Sequence, residues 1–197
     1  MARMHSHPKY SQFRFDAGSL SLNFLATVRH RGSGQPRDLL HTPDALAEWF
    51  REAGCHSPAV RPTRLDHEDA LLLREAIYRI VCSLILNKKP PMADMDCINT
   101  TAAHHLAVPQ VERNTLRLHW ESEHPVWACL SEIARDAVIL IGDIERHPLK
   151  MCDNKGCRMI FLDNSPAGRR RWCAMAICGN REKIRAHRQR KRVPEAV

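Results

Sequence analysis

The stretches CDNKGC, residues 152–157, and CAMAIC, residues 173–178, are the most informative part of this 197-residue sequence. Each places four residues between two cysteines, and 15 residues separate the two pairs. Zn²⁺ prefers four soft ligands in a closed tetrahedron, which two short-range pairs joined by a longer loop can supply. The sequence therefore predicts one structural zinc ion. Its four ligands are the thiolates of Cys152, Cys157, Cys173 and Cys178.

The alternatives are buried thiols without a metal, or a ligand set that includes a nearby histidine. His147 and His187 are near enough in sequence to compete, but we expect the four thiolates. Four thiolates leave no open position for an activated water, so the predicted zinc is structural rather than catalytic. The remaining cysteines lack paired spacing and are predicted to be small apolar core residues. They are Cys55, Cys82, Cys97 and Cys129.

The formal charge is distributed unevenly along the chain. Residues 1–150 contain 18 Lys and Arg against 18 Asp and Glu, whereas residues 151–197 contain 12 against 4. The whole excess of +8 therefore lies in the last quarter. A local basic block favours a polyanionic partner, usually nucleic acid, over a merely solubilising tail.

A cationic helix is predicted directly after the second cysteine pair. In a helix over residues 179–192, arginines recur at the spacing of one face, at positions 181, 185, 188 and 192. Like charges stacked in this way destabilise an isolated helix, so a polyanion that neutralises them is favoured. We expect DNA as the partner, with a solvated basic helix as the alternative. The candidate nucleic-acid contacts are Arg169, Arg170, Arg171, Arg181, Lys183, Arg185, Arg188, Arg190, Lys191 and Arg192.

The first 150 residues predict an α-rich α+β fold. The periodicity of apolar residues predicts helices over residues 20–29, 43–54, 66–86, 92–105 and 125–141. Alternating residues predict a short strand around Phe13 and Phe15, and a strand over 116–120 with 107–108 as its hairpin partner. Residues 30–40 are predicted to form an exposed loop.

This pattern predicts two domains. A mostly helical N-terminal domain with a small β-hairpin occupies residues 10–147, as a sensor or dimerisation unit. A small four-cysteine zinc module that ends in a basic helix occupies residues 148–192. Residues 142–149 are the expected hinge between them.

Two classes of protein are disfavoured by the sequence. No apolar stretch approaches the roughly 20 residues that cross a bilayer, and the N-terminus lacks the apolar run of a signal peptide. We therefore expect a cytoplasmic protein without a membrane partner. No local catalytic motif is present, since the adjacent pair His104-His105 points to opposite sides of a helix, so we expect no enzyme.

The residues around the cysteines carry a resemblance to a known family. The shared motifs are Cys-x4-Cys, Phe161-Leu162-Asp163-x-Ser165, Arg170-Arg171-Trp172-Cys173-x-Met175 and Cys178-Gly179-Asn180-Arg181-x-Lys183. Together they resemble the CGNR zinc finger, named after the tetrapeptide at 178–181. In that family the finger follows an ABATE domain, and the proteins are described as stress-induced transcription regulators. Residues 22–27, LNFLAT, resemble the ABATE pattern Leu-Asp-Phe-x-Asn-Thr.

The resemblance implies a DNA-binding transcription regulator whose N-terminal domain senses a ligand or dimerises. Asn23 and Ala26 stand where the family tends to have Asp and Asn, which predicts a changed or absent effector. We expect any small-molecule effector near Asn23, Thr27 and Arg29. A homodimer is expected because paired half-sites raise specificity. The alternative is a zinc-stabilised protein-interaction or RNA-binding module without sequence-specific DNA readout.

Overall fold

The computed structural model describes residues 12–57, 60–146 and 148–190. Its helices are α1 (Leu20–Leu25), α2 (Pro43–Ala53), α3 (Arg64–Ile85), α4 (Met92–Ala102), α5 (Pro125–Gly142) and α6 (Asn180–Arg190). Three antiparallel hairpins pair β1 (Val28–Arg29) with β2 (Arg37–Asp38), β3 (Val108–Val111) with β4 (Leu118–Glu121), and β5 (Leu149–Met151) with β6 (Ile160–Leu162). The predicted α+β class is confirmed: helices and small hairpins precede a four-cysteine module that ends in a helix.

The ends of two long helices follow from their local sequence. Thr42 caps α2 by accepting a hydrogen bond from the Ala45 amide, Pro43 occupies the first helical position, and Gly54 ends the helix with a left-handed φ of 75°. Thr63 and Asp66 form a reciprocal capping box at the start of α3. The predicted starts and stops of these helices are therefore close to those observed.

The core lies between α1, α2, α3 and α5, with α4 against α3 and α5. Trp49 of α2 is fully buried, and its ring lies 4.9 Å from that of Phe24 and 6.1 Å from that of Phe15. Aromatic side chains of this size contribute much of the buried apolar area. Four cysteines lie outside the two Cys-x4-Cys pairs. Cys129 is buried, and the other three are partly buried against this core.

The C-terminal hairpin shares this core. All three residues of β6 are buried, and the Leu162 amide donates to the Ala17 carbonyl oxygen at 2.8 Å. Gly18 makes that approach possible, because a Cβ there would lie 2.8 Å from the Leu162 Cβ on a backbone with φ of 106°. Likewise, a Cβ on Gly32 would clash with the Lys155 carbonyl oxygen. The two parts of the chain therefore touch closely, although the boundaries 10–147 and 148–192 remain a prediction.

Four local predictions were wrong in detail. Residues 12–16 form no strand; the Phe13 and Phe15 rings pack edge to face instead. The first helix ends at Leu25, where the Thr27 hydroxyl donates to the Phe24 carbonyl and the chain turns into β1. The predicted loop over 30–40 contains β2. The helix predicted over residues 92–105 ends at Ala102.

Arg74 is the charged residue that occupies a buried position on α3. Arg74 is only 3% exposed. Its guanidinium donates to both carboxylate oxygens of Asp38, at 2.8 and 2.6 Å. Arg74 also donates to the Thr27 hydroxyl and to the Glu75 carboxylate. Arg31 donates two further hydrogen bonds to the Glu75 carboxylate, at 2.8 and 2.9 Å. This network fixes the β1–β2 hairpin on α3, since Asp38 belongs to β2.

None of the described helices combines the length and the apolar composition that a membrane span would need.

The Arg74 network yields a stability prediction. Replacing Arg74 by Ala removes a buried partner from the Asp38 and Glu75 carboxylates. Because both carboxylates are about one third exposed and Glu75 keeps Arg31, we expect a loss of about 2–3 kcal/mol, below the roughly 3–5 kcal/mol that a fully buried pair would cost. Urea unfolding of the zinc-loaded protein measures this loss. Arg64→Ala is the matched control, because Arg64 forms an exposed 3.6 Å pair with Glu68 of the kind that contributes about 0–1 kcal/mol. Equal losses of unfolding free energy in the two variants would contradict the conclusion that the Arg74 network stabilises the fold.

The same network predicts a loss of stability in acid. Burial alone would raise the pKa of Asp38, but the hydrogen bonds and charge of Arg74 hold it below its ordinary 3.8. Burial alone would also raise the pKa of Glu75, but the hydrogen bonds and charges of Arg31 and Arg74 hold it below its ordinary 4.5. Because both folded pKa values lie below the unfolded ones, their contribution is present above pH 4.5 and is lost as the pH falls below these values.

Unfolding free energies measured between neutral pH and acid, at fixed excess zinc, test this sign. The free energy of unfolding of Asp38→Asn should fall less steeply with decreasing pH, in the acid range, than that of the parent protein. Indistinguishable slopes would show that the network does not control the acid response.

Candidate metal centre and nucleic-acid interface

The first cysteine pair lies on a turn between β5 and β6. The Cys152 amide donates to the Met159 carbonyl at 2.8 Å, which extends the hairpin pairing up to the metal ligand. Inside the turn, the Asn154 side-chain oxygen accepts from the amides of Gly156 and Cys157, both at 3.1 Å. An asparagine side chain that bonds its own backbone two or three residues on stabilises such turns. This arrangement brings the two thiols together.

The second pair is held by a π-helical turn, Met175–Gly179. The amides of Cys178 and Gly179 both donate to the Ala174 carbonyl, at 2.9 and 3.2 Å. This turn runs without interruption into α6, so the last thiol lies immediately before the basic helix. Whatever fixes Cys178 therefore also fixes the start of α6.

The four thiols meet at one point. All their Sγ atoms lie within 4.8 Å of one another, and Cys173 Sγ lies 3.8 Å from Cys157 Sγ and 3.7 Å from Cys178 Sγ. A tetrahedron with Zn–S bonds of about 2.3 Å has edges of about 3.8 Å, so these separations suit zinc. The predicted cofactor is confirmed: the cysteines form a site for one structural zinc ion.

No histidine belongs to this group within the described part of the chain. His187 lies on the exposed surface of α6, and His147 is outside the described residues.

An arginine from the far end of the chain contacts the centre. Arg14 Nη1 donates to Cys173 Sγ at 3.3 Å, while its Nε donates to Asp16 at 2.8 Å. Four thiolates around one Zn²⁺ carry a net negative charge, which a guanidinium offsets, and a hydrogen bond to the ligand sulfur holds its orientation. No sequence signal identified Arg14, because it lies 159 residues from Cys173.

Asp163 organises the loop between the hairpin and the second cysteine pair. Its side chain is wholly inaccessible and accepts from Lys150, from the Ser165 hydroxyl at 2.6 Å and from the Arg170 amide at 2.8 Å. The bond from Lys150, followed by that from Ser165, holds the pKa of Asp163 well below its usual range. The Phe161-Leu162-Asp163-x-Ser165 motif is the sequence signal for this loop.

The three consecutive arginines have different surroundings. Arg170 lies over the Phe161 ring at 4.6 Å and donates to the Cys173 carbonyl at 2.6 Å, so it supports the metal centre. Arg171 pairs with Asp153 at 2.7 Å and lies 5.0 Å from the centre of the Trp172 ring, yet its side chain is 67% exposed. Arg169 is exposed. Arg169 and Arg171 can therefore reach a partner, whereas Arg170 serves the fold.

The helix α6 is exposed along its described length apart from the half-buried Glu182. A side-chain hydrogen bond joins the first turn of α6 to the first cysteine pair: the Asn154 amide nitrogen donates to Glu182 at 3.0 Å. Arg181, Arg185 and Arg188 lie on one exposed face together with Ile184 and Gln189. Lys183 lies on the other side, near Arg171 and Trp172. The side chain of Arg190 and all of Lys191 and Arg192 lie outside the described structure.

The three predicted effector residues separate into two groups. Asn23 accepts from the Ala17 amide at 3.0 Å, and buried Thr27 bonds to Phe24 and Arg74, so both side chains serve the fold. Arg29 instead lines a cavity beside the zinc module.

Comparison with known families agrees with this architecture. The ABATE family model, described as "Putative stress-induced transcription regulator", matches residues 18–144. The CGNR zinc finger model matches residues 149–191. These are regulator and zinc-finger families, not enzyme families, and the resemblance seen in the sequence is confirmed. The comparison with curated proteins returned no match.

Metal analysis tests the centre directly. The full chain should contain one zinc per molecule, and Cys178→Ser should lose most of it, because three thiolates no longer close the tetrahedron. Chelation should lower the thermal unfolding temperature, since zinc binding contributes to folding. Cys97→Ser, which changes a half-buried cysteine of α4, is the control and should retain its zinc. Equal zinc contents in the two variants would rule out the assigned ligand set.

Proposed function

The chain belongs to the ABATE family, with a CGNR zinc finger at its C-terminal end, and we propose that it is a DNA-binding regulator of transcription. The observation that carries the proposal is the position of α6. A zinc ion bound at Cys178 fixes the start of this helix, and its arginine face points to solvent. The zinc finger is thus the DNA-binding part.

The dimensions of α6 suit duplex DNA. An α-helix with its side chains is about 10–12 Å across, and the major groove of B-DNA is about 12 Å wide. In the groove, Arg181, Arg185 and Arg188 would face the bases and phosphates along about two turns of helix. An arginine can donate two parallel hydrogen bonds to guanine, which gives sequence specificity, or bind phosphate, which gives affinity.

The surface beside α6 supplies further phosphate contacts. Arg171 and Lys183 are exposed on the zinc-module side of the helix, and Arg169 is exposed two residues before Arg171. Phosphate contacts set the position of a helix on DNA without reading sequence. Arg190, Lys191 and Arg192 continue the basic run beyond the described side chains and belong to the same proposed interface.

The N-terminal part, residues 10–147, is proposed to control this activity by sensing a ligand or by dimerising. A dimer would present two zinc modules of residues 148–192 to paired half-sites, which raises specificity. The protein acts in the cytoplasm and has no catalytic role in this proposal.

A docking or RNA-binding role is the second candidate. It is favoured by Ile184, which is 53% exposed in the middle of the arginine face. An exposed apolar side chain between cations suits a protein partner better than a phosphate backbone. Readout of duplex sequence separates the two candidates.

Selection from a random pool of DNA duplexes, with zinc-loaded full chain at near-physiological salt, tests the proposal. We expect one enriched motif. Arg185→Ala should weaken binding to it about tenfold or more, because a bidentate contact to guanine contributes about 1–3 kcal/mol. Arg113→Ala, at an exposed position between β3 and β4, is the control and should bind normally. A pool without enrichment, bound only in a salt-sensitive way, would favour docking or RNA binding.

A further inference from the structure

A cavity of about 480 Å³ lies between the N-terminal part and the zinc module. Three separate segments contribute cations to its wall: Arg14 precedes α1, Arg29 and Arg37 lie on the β1–β2 hairpin, and Arg181 lies in the first turn of α6. Ligand sites in proteins typically measure about 300–1,000 Å³. The cavity is therefore large enough for a small organic molecule.

The wall carries an excess of positive charge. Its described lining contains four arginines and His30 but no Asp or Glu. Cys157 and Cys178 also line it, and the four thiolates and one Zn²⁺ of their centre sum to a charge of −2, so the four arginines still leave an excess of positive charge. Arg14 is compensated by Asp16, whereas Arg29, Arg37 and Arg181 form no ion pair with any residue of the described ranges. Burial, followed by the nearby charge of Arg14, lowers the pKa of Arg29 from its ordinary value. An anion in the cavity would relieve this repulsion.

Much of the remaining lining is apolar. Phe13, Ala26, Leu39 and Met159 are buried side chains of the floor, and Ile177 of the π-helical turn is 43% exposed beside them. Inorganic phosphate or a DNA backbone would cover the cations but leave Ile177 and the half-buried Val28 in water. A molecule with an acid group and an apolar body would satisfy both surfaces.

We propose that this cavity binds a small organic anion, whose acid group lies among Arg29, Arg37 and Arg181 and whose apolar body covers Val28 and Ile177. The acid group is a carboxylate or a phosphate, since arginine binds either. Of the residues predicted to bind an effector, Arg29 belongs to this site.

The ligand would connect the two parts of the chain. Cys178 and Arg181 line the cavity from the zinc module, and Arg29 and Arg37 line it from the hairpin that Arg74 fixes on α3. A ligand held by both sides neutralises Arg181 and so changes the positive charge that the first turn of α6 presents. The regulatory consequence rests on the proposed DNA binding, but binding of the ligand itself does not.

Three matched probes test the site in the zinc-loaded full chain. Anilinonaphthalene sulfonate combines an acid group with an apolar body, N-phenylnaphthylamine has the same kind of body without the acid, and sulfate has the acid without the body. We expect one site for the first probe, detected by its fluorescence, and at least about tenfold weaker binding of the other two. Equal binding of the neutral probe would overturn the proposal.

Two variants locate the site. The double change Arg29→Met and Arg37→Met should weaken the sulfonate probe about tenfold or more. Arg37→Met alone should weaken it in the same direction, and its exposed position spares the fold. Arg113→Met is the control and should bind the probe like the parent protein. Unchanged binding in Arg37→Met and in a folded, zinc-loaded double variant would overturn the proposal.

Displacement identifies the acid and separates this proposal from DNA binding. Stronger displacement by benzoate than by phenyl phosphate identifies a carboxylate site, and the reverse order identifies a phosphate site; either supports the proposal. Displacement by duplex DNA at lower concentration than by both acids would overturn it, because the cavity would then belong to the DNA surface. The probe experiments need no DNA, so a failure of the selection experiment leaves their outcome intact.

Discussion

The four-thiolate zinc centre is the interaction on which the C-terminal quarter of this protein depends. Residues 149–190 contain two short strands, one π-helical turn and one exposed helix, and a segment of this size buries too little surface to fold on apolar contacts alone. The metal joins the turn after β5 to the turn before α6. Because Cys178 is followed directly by α6, one ion sets both the local fold and the direction of the basic helix.

The centre also depends on the N-terminal part of the chain. Arg14 contacts the Cys173 sulfur, Ala17 pairs with Leu162 of β6, and Gly32 lies against the carbonyl of Lys155. Together with the Arg74 network, these contacts form a continuous path from α3 through the β1–β2 hairpin to the metal and the start of α6. A path of packed and hydrogen-bonded groups is what a ligand between the two parts would need in order to influence the helix.

Features encoded by neighbouring residues could be predicted from the sequence, and features that depend on distant contacts could not. Thr42 and Gly54 mark the ends of α2, and the spacing of Cys152, Cys157, Cys173 and Cys178 defines the metal site, because the responsible atoms are close in sequence. By contrast, nothing local distinguishes Arg170, which supports the centre, from Arg171, which is exposed. The sequence does indicate that Arg74 is unusual, because it is a charged residue among the apolar positions of α3. Its partner Asp38 follows only from the fold.

Amide hydrogen exchange of the full chain, with and without zinc, tests most directly whether the metal centre holds these parts together. The amides of Leu162, Cys178 and Gly179 bond within the zinc module or across to the N-terminal part, whereas those of α4 and α5 lie in the helical core. Local unfolding exposes amides selectively, so removing zinc should greatly accelerate exchange at the first three and leave α4 and α5 protected. Equal protection of Leu162, Cys178 and Gly179 in both states would contradict the account, because the module would then hold its fold without the metal.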